Sequence, residues 1–440
     1  MFKRKIYSKM LEWKNVSDGD TALLVEGARR IGKSTIVEEF AKNEYDSYIM
    51  IDFSKAAPEI VHLFDDVSDL NYLFLQLQLR YRVTLHERRS LIIFDEVQLC
   101  PPARQAIKHL VADHRYDYVE TGSLISINKN VKDILIPSEE ETLQMYPMDY
   151  EEFLWAIGDN TTFSIMRELY ESGKPVGNEV HRQLMRTFRL YMAVGGMPQA
   201  VTAFNETNNF EQVDRVKRRI LDLYYRDLEK VDERIQLLFE AIPAELNRNA
   251  SRYQVSSVLP NARADKVLDP IKELKDSKCA LVAYHANDPN AGFANNKDLE
   301  RFKLFLADTG LFVTLAFKDK DFTENIIYEK MLSDKLSANL GYLYENVVAQ
   351  MLAANGHELY YYTFPQEVGH RSYEIDFLLA EKNKIIPLEV KSGNYTTHKS
   401  IDAFTEKYSS RVLKRYLLHC KDFKKEGDLI CLPIYFAPFL

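Results

Sequence analysis

The chain has 440 residues, of which 46% are hydrophobic and 28% charged, and its net charge is −8. That length exceeds one ordinary core and predicts about three domains, the composition is that of a water-soluble globular protein, and the acidic balance argues against broad non-specific nucleic-acid binding. No apolar run is long enough to span a membrane, the basic start MFKRKIYSKMLEWKN lacks the apolar core of a secretory signal, and the four cysteines (Cys100, Cys279, Cys420, Cys431) show no paired spacing. These features predict a reducing, cytoplasmic setting without a zinc site.

Lys5 to Lys14 reads as a short helix. Thr21 to Val25 (TALLV) is a buried strand by its branched apolar residues, and Ile36 to Phe40 has helical spacing. Between them lies GARRIGKST, Gly27 to Thr35, which fits Gly-x-x-x-x-Gly-Lys-Ser. The spacing has a chemical reason. Gly27 and Gly32 permit backbone angles that wrap N–H groups around a phosphate. The helix that starts there adds its positive end. Lys33 reaches the β- and γ-phosphates, and the Ser34 hydroxyl suits magnesium. Ala28, Arg29, Arg30 and Ile31 complete the turn and Thr35 follows it. Arg29 and Arg30 are either extra charge beside the phosphates or a solvated pair.

Tyr48 to Phe53 reads as a strand and Leu70 to Val83 as a helix. Ser90 to Gln98 (SLIIFDEVQ) is an apolar strand that surfaces at Asp95 and Glu96. Placed beside the first strand, it would carry Asp95 to the magnesium shell and Glu96 to the attacking water as general base. Ala103 to His114 reads as a helix. Tyr116 to Val119 begins a strand that closes at Glu120-Thr121-Gly122-Ser123. Thr121 and Ser123 are the hydroxyls available to a γ-phosphate, or simply turn residues.

The order VEGARRIGKST, LIIFDEVQ, ETGS and YPMDYEEFLWA (Tyr146 to Ala156) resembles the AAA-type P-loop ATPases. It is most similar to a group of predicted bacterial and archaeal ATPases with a C-terminal domain of poorly known function. GGMPQAV, LADTGL and EIDFLL…PLEVKSG extend the likeness over most of the chain. The resemblance implies ATP and magnesium as cofactors and an α/β fold with a parallel sheet. In one respect the chain departs from the group. Relatives carry a Gly-Arg pair shortly before YPMDYEEF, whereas here no arginine lies between Arg115 and Arg167. An arginine finger then has to come from further along the chain or from another subunit, so an oligomer is one expectation.

From about Trp155 helical spacing dominates, and Gly195-Gly196-Met197-Pro198 breaks it sharply, as punctuation or as a hinge. Phe210 to Glu229 reads as a long helix, with Arg226 either a nucleotide-sensing arginine or part of a solvated face. Leu237 to Leu246, Tyr253 to Leu259, Ala262 to Lys275 and the strand Cys279 to Tyr284 follow as helix, extended piece, helix, strand. That succession suits a winged helix, although ADKVLDPIKELKDSK is mixed in charge and interrupted by Pro270, which favours protein packing over DNA reading.

Arg301 to Ala307 reads as a strand ending at the turn Asp308-Thr309-Gly310. A helix (Leu340 to Ala354), three strands (His357 to Phe364, Ser372 to Ala380, Lys384 to Lys391), a helix (Ile401 to Tyr408) and two strands (Leu413 to His419, Leu429 to Phe436) then resemble the core of the PD-(D/E)xK nuclease fold. Glu389 and Lys391 are two apart on one strand face. Asp376, Glu389 and the Val390 carbonyl would hold magnesium, with Glu345 a further ligand and Lys391 orienting water; the alternative is a polar core or a salt-bridged face. Lys407, Arg411, Lys414, Arg415, Lys421, Lys424 and Lys425 form a basic cluster, suited to a DNA backbone or to a solvated edge. The expected segments are a P-loop ATPase domain over 1–155, a helical and winged-helix-like domain over 156–299 and a nuclease-like domain over 300–440. Two functions follow: an ATPase whose nucleotide state controls a nuclease-like, DNA-acting domain, or a nucleotide-dependent switch that binds a protein partner without cutting.

Overall fold

Ala22–Glu26 forms β1, and its first four residues are buried, as a central parallel strand covered on both faces must be. The computed structural model describes residues 1–123, 138–248, 250–260, 268–318, 325–333, 341–367, 371–393 and 396–440. The chain divides into two units, Met1–Tyr146 with Asp276–Lys278, and Pro147–Lys275 with Cys279–Leu440.

In the first unit β1 is joined by β2 (Ser47–Asp52), β3 (Ser90–Asp95), β4 (Asp117–Gly122) and β5 (Glu140–Gln144). The order is β2-β3-β4-β1-β5 with every pair parallel. The strand bearing Asp95 is therefore not the neighbour of β1, as the sequence suggested; β4 lies between them. The sequence also gives no sign of β5, whose residues are polar and only partly covered. Helix Pro101–Asp113 explains its acids, because Arg104 donates to Glu120 on β4 at 3.2 Å and to Glu140 on β5 at 3.1 Å. Burial, then the Glu140 carboxyl beside it, pushes the Glu120 carboxyl well up, with Arg104 pulling the other way. Helix Leu70–Tyr81 starts at Asp69, which accepts from the Tyr72 N–H, and buries Leu73, Phe74 and Leu77. Phe53, Phe64 and Phe94 pack 5.3–5.8 Å apart in the same core. Each such ring is worth about 1.5–3 kcal/mol of burial.

The second unit has two sheets. β6 (Ala280–Ala286), β7 (Lys297–Leu306), β8 (Leu359–Pro365) and β9 (Ser372–Ile375) lie in the order β7-β6-β8-β9. β10 (Phe377–Glu381), β11 (Lys384–Lys391), β12 (Arg415–His419), β13 (Lys424–Glu426) and β14 (Leu429–Pro433) lie in the order β10-β11-β12-β14-β13. The run expected as one strand over 372–380 is thus two, broken at Asp376 and shared between the sheets. Helices Gly341–Ala354 and Lys399–Lys407 fall where the sequence places them. The boundary expected after residue 155 falls inside helix Tyr150–Ala156, and the one after 299 inside β7. The helix expected over Leu237 to Leu246 is two, Glu233–Glu240 and Ile242–Asn247, with Pro243 starting the second. Val255–Val258 is one helical turn rather than an extended piece, and helix Leu268–Asp276 follows. Residues 261–267, where the sequence predicts the latter to begin, lie outside the described residues.

The Gly-Gly-Met-Pro turn is held rigidly. Asp308 caps helix Thr309–Ala316 by accepting from Leu311 at 2.8 Å, and also accepts from the Gly196 N–H at 2.5 Å. A Cβ on Gly195 would meet Asp308 Oδ1 at 2.5 Å and the Gly310 Cα at 2.8 Å, at a φ of +85°. On Gly196 it would meet the Met148 carbonyl oxygen at 2.1 Å. Close backbone approach, and not freedom to swing, is what the glycines supply. Gly195→Ala should lose about 2 kcal/mol or more in denaturant unfolding, while Gly393→Ala, with nothing within 4 Å of its Cβ, should be near neutral. Equal stability of the two variants would show that the contact is not tight.

Candidate nucleotide site

β1 ends at Glu26 and the chain turns through Gly27 and Gly32, with φ of 156° and 96°, into helix Lys33–Glu44. A Cβ on Gly27 would lie 2.3 Å from the Met145 carbonyl oxygen. Ala28 and Ile31 are buried beneath the loop, whereas Arg29, Arg30 and Thr35 are exposed. Lys33 Nζ donates to the Gly27 and Ala28 carbonyls at 3.0 and 2.9 Å, which holds the ammonium over the loop.

β3 and β4 bring the other groups to the same sheet end. Ser34 Oγ donates to Asp95 Oδ1 at 2.6 Å, and Thr121 Oγ1 donates to the same oxygen. Glu96 follows at φ 54°, a left-handed residue that ends β3, and its N–H reaches Thr121 Oγ1 at 3.5 Å. Gln98 donates to the Glu96 carboxylate and fixes its direction. Ser123, half-buried, follows β4. A hydroxyl and a carboxylate this close suit one magnesium shell, so Ser34 and Asp95 fit that ion. Arg4 is the residue that the sequence did not single out: it donates to the Ile31 carbonyl at 2.8 Å and to the Tyr146 carbonyl at 2.7 Å. A basic tripeptide at a chain start carries no signal for this.

In the second unit, β10 and β11 form the expected hairpin, with Phe377 opposite Leu388 and Glu381 opposite Lys384. Asp376 accepts from the Val390 N–H at 2.7 Å, so it lies beside the Glu389–Lys391 segment. Glu345 is close too, and lysines lie beside Glu345, Glu374 and Glu389. Lys303 contacts Glu374 and lies 3.6 Å from Glu345, and Lys391 lies 2.5 Å from Glu389. Burial, then Glu345, pushes the Asp376 carboxyl well up. Burial opposes the Lys303 charge, but Glu345, Glu374 and Asp376 outweigh it and hold the ammonium above the usual lysine value. Among the described residues no three His, Cys, Asp or Glu side chains are grouped to hold a metal ion. As arranged, Glu345 and Glu389 face lysines, while Asp376 is bonded to the Val390 N–H.

The basic cluster is largely neutralised. Arg411 pairs with Asp288, Arg415 with Asp402 and Asp428, Lys424 with Glu426, and Lys414 reaches Glu381 at 4.0 Å. Lys407 lies 5.5 Å from the Phe364 ring centre, and Lys421 and Lys425 are exposed. Arg226 is exposed on helix Phe210–Val231. No helix among the described residues is long and apolar enough to cross a membrane.

The Thr121–Asp95 contact makes a clear prediction. Thr121→Val keeps the shape and removes the donor to a carboxylate, and should cost the first unit about 1.5–3 kcal/mol in denaturant unfolding. A loss below about 0.5 kcal/mol, the range of an unbonded surface site, would show that the hydroxyl is not bonded there.

Comparison with known proteins bears on this geometry. Residues 19–154 match the family model described as an AAA domain. Residues 185–321 and 340–436 match two models described as domains of unknown function, DUF8612 and DUF4143. No curated protein matches the chain. Among solved structures, a Walker-type ATPase of Pyrococcus abyssi is 15% identical, over 72% of this chain and 96% of that one, with a TM-score of 0.44. C. elegans PCH-2 is 13% identical over 49% and 68%, at 0.27, and Drosophila ORC bound to DNA 13% over 61% and 80%, at 0.28. Superpositions this loose say nothing of what the chain binds. The family match and the loop, sheet order and Asp95 contacts agree: the first unit carries an AAA domain of the P-loop ATPase type.

Proposed function

We propose that this protein binds ATP with magnesium and hydrolyses it in the first unit. The observation that carries the reading is the meeting of Ser34, Asp95 and Thr121 at the mouth of the Gly27–Thr35 loop. The loop N–H groups and the start of helix Lys33–Glu44 cradle the phosphates. Lys33 exchanges the Gly27 and Ala28 carbonyls for phosphate oxygens. Ser34, and Asp95 through water, hold the magnesium, which when bound neutralises charge on the phosphates. Glu96, aimed by Gln98, polarises the attacking water. Thr121 faces Asp95, so Ser123 is the hydroxyl offered to the γ-phosphate.

Lys33→Ala should abolish ATP binding in calorimetry with magnesium. Glu96→Gln should still bind ATP and lose roughly 10²–10⁴-fold in turnover. Wild-type affinity and turnover in Lys33→Ala would refute the assignment.

The nucleotide state is read out by the second unit. Two readings of that unit remain, a nuclease-like domain acting on DNA and a module that binds a partner without cutting. The pairing of Lys303 and Lys391 with the acids supports the second, and so does the neutralised basic edge. We expect no cleavage of branched, single- or double-stranded DNA with magnesium or manganese, from wild type or from Glu389→Ala. Cleavage by wild type that disappears in Glu389→Ala would establish the nuclease instead.

A further inference from the structure

We infer that Arg4 is a positioning residue of the phosphate loop, acting through the Ile31 carbonyl without touching nucleotide. The inference rests on the ATP-binding reading of the first unit and adds a residue outside every motif that reading uses.

Arg4 is buried and comes from the segment before helix Ile6–Ser17. That helix is fastened to helix Lys33–Glu44, which grows directly out of the loop. Tyr7 packs edge-on to Phe40 at 5.5 Å and donates to Glu44 at 2.6 Å. Lys14 donates to the Glu44 carbonyl and lies 4.1 Å from the Tyr45 ring centre. The start of the helix is secured by the Tyr7 N–H bonding to the Arg4 carbonyl at 3.2 Å. The guanidinium is thereby delivered to the loop from an anchored element.

The two carbonyl contacts have distinct consequences. In a trans peptide the carbonyl and the following N–H point in opposite directions. Holding the Ile31 carbonyl on the Arg4 side, at 2.8 Å, turns the Gly32 N–H the other way, into the curve of the loop. A charge-assisted bond to that carbonyl also polarises the peptide and strengthens its N–H as a donor to an anion. The second bond, to the Tyr146 carbonyl at 2.7 Å, fixes the loop against the segment that follows β5. That segment is itself bound beside the loop, since Met145 N–H donates to the Glu26 carbonyl at 2.8 Å. Neither contact uses the guanidinium as a phosphate ligand. The residue therefore acts on loop geometry, and its effect should follow the phosphates of a ligand.

The experiment is steady-state turnover and calorimetry with MgATP on the full chain, for wild type, Arg4→Ala and Arg4→Lys, with thermal unfolding alongside. Removal of a charged hydrogen bond predicts a ten- to hundredfold weaker ATP affinity in Arg4→Ala, with the loss falling more on KM than on kcat. Arg4→Lys, which keeps the charge but loses the planar fork that reaches both carbonyls, should fall between the two. Guanidinium ion at millimolar concentration should restore part of the affinity of Arg4→Ala and none to Lys33→Ala. Wild-type affinity in Arg4→Ala overturns the inference, as does a loss that guanidinium does not touch and that tracks a lowered unfolding temperature. If wild type itself fails to bind ATP, the ATP-binding reading falls first and the inference with it; a wild type that binds and an Arg4→Ala that binds equally well reject the inference alone.

Discussion

One carboxylate oxygen organises the first unit. Asp95 Oδ1 accepts from Ser34, at the head of the helix after β1, and from Thr121, at the end of β4. Three segments far apart in sequence are brought to one atom, and the sheet order makes it possible. With β4 between β1 and β3, the hydroxyl of Thr121 reaches the same carboxylate oxygen that Ser34 meets directly. The inserted strand thus converts a pairwise contact into a three-group node, and the same hydroxyl lies at 3.5 Å from the N–H of Glu96. Loop, Asp95 and Glu96 therefore share one reference atom group.

The second unit has its own node, built from motifs whose spacing gives no hint that they meet. Asp308 receives the Gly196 N–H, and Tyr191 donates to the Met148 carbonyl at 2.9 Å. Gln350 donates to Tyr191 and accepts from Thr309, while Asn346 bonds both ways with Leu306. Lys217 donates to the Ala193 and Gly310 carbonyls and to Tyr328. Burial brings the Lys217 ammonium down to about 8, with Asp214 and Asp308 holding it up. Such a network is costly if any member is lost, because its groups are out of reach of water. It explains why Gly-Gly-Met-Pro and Asp-Thr-Gly belong together: each turn fills the space that a side chain on the other would need.

Periodicity and turn chemistry made most helices and strands of both units legible in the sequence, and the loop motif placed Gly27 to Ser34. Pairing order was not legible. Nothing in LIIFDE says that ETGS lies between it and TALLV, since both are equally apolar parallel strands. β5 is not legible because EETLQ has no alternation and a single apolar residue; it is an edge strand whose Glu140 is met by Arg104 and whose Glu141 accepts from Thr21. The break at Asp376 was missed because SYEIDFLLA is continuous in β propensity. The chain leaves one sheet and enters another there, and the carboxylate secures the change by capping Val390.

The cations were hardest to read, and for a single physical reason. Charge in a sequence is silent about burial, and the ordinary expectation for a lysine or arginine is a solvated head. Here Arg4, Lys217 and Lys303 are all buried, each with a different kind of partner: loop carbonyls, turn carbonyls with a phenol, and carboxylates. A buried cation persists only if its partners repay desolvation, so each fixes the geometry of the groups around it. That bears on the C-terminal acids. Glu345, Asp376 and Glu389 look from sequence like ligands waiting for a divalent ion. In the structure Lys303 and Lys391 lie among them, a juxtaposition to which the sequence spacing points only for Glu389 and Lys391. In the first unit the partners of the site groups are of another kind: Lys33 donates to the Gly27 and Ala28 carbonyls, and Asp95 accepts from the Ser34 and Thr121 hydroxyls.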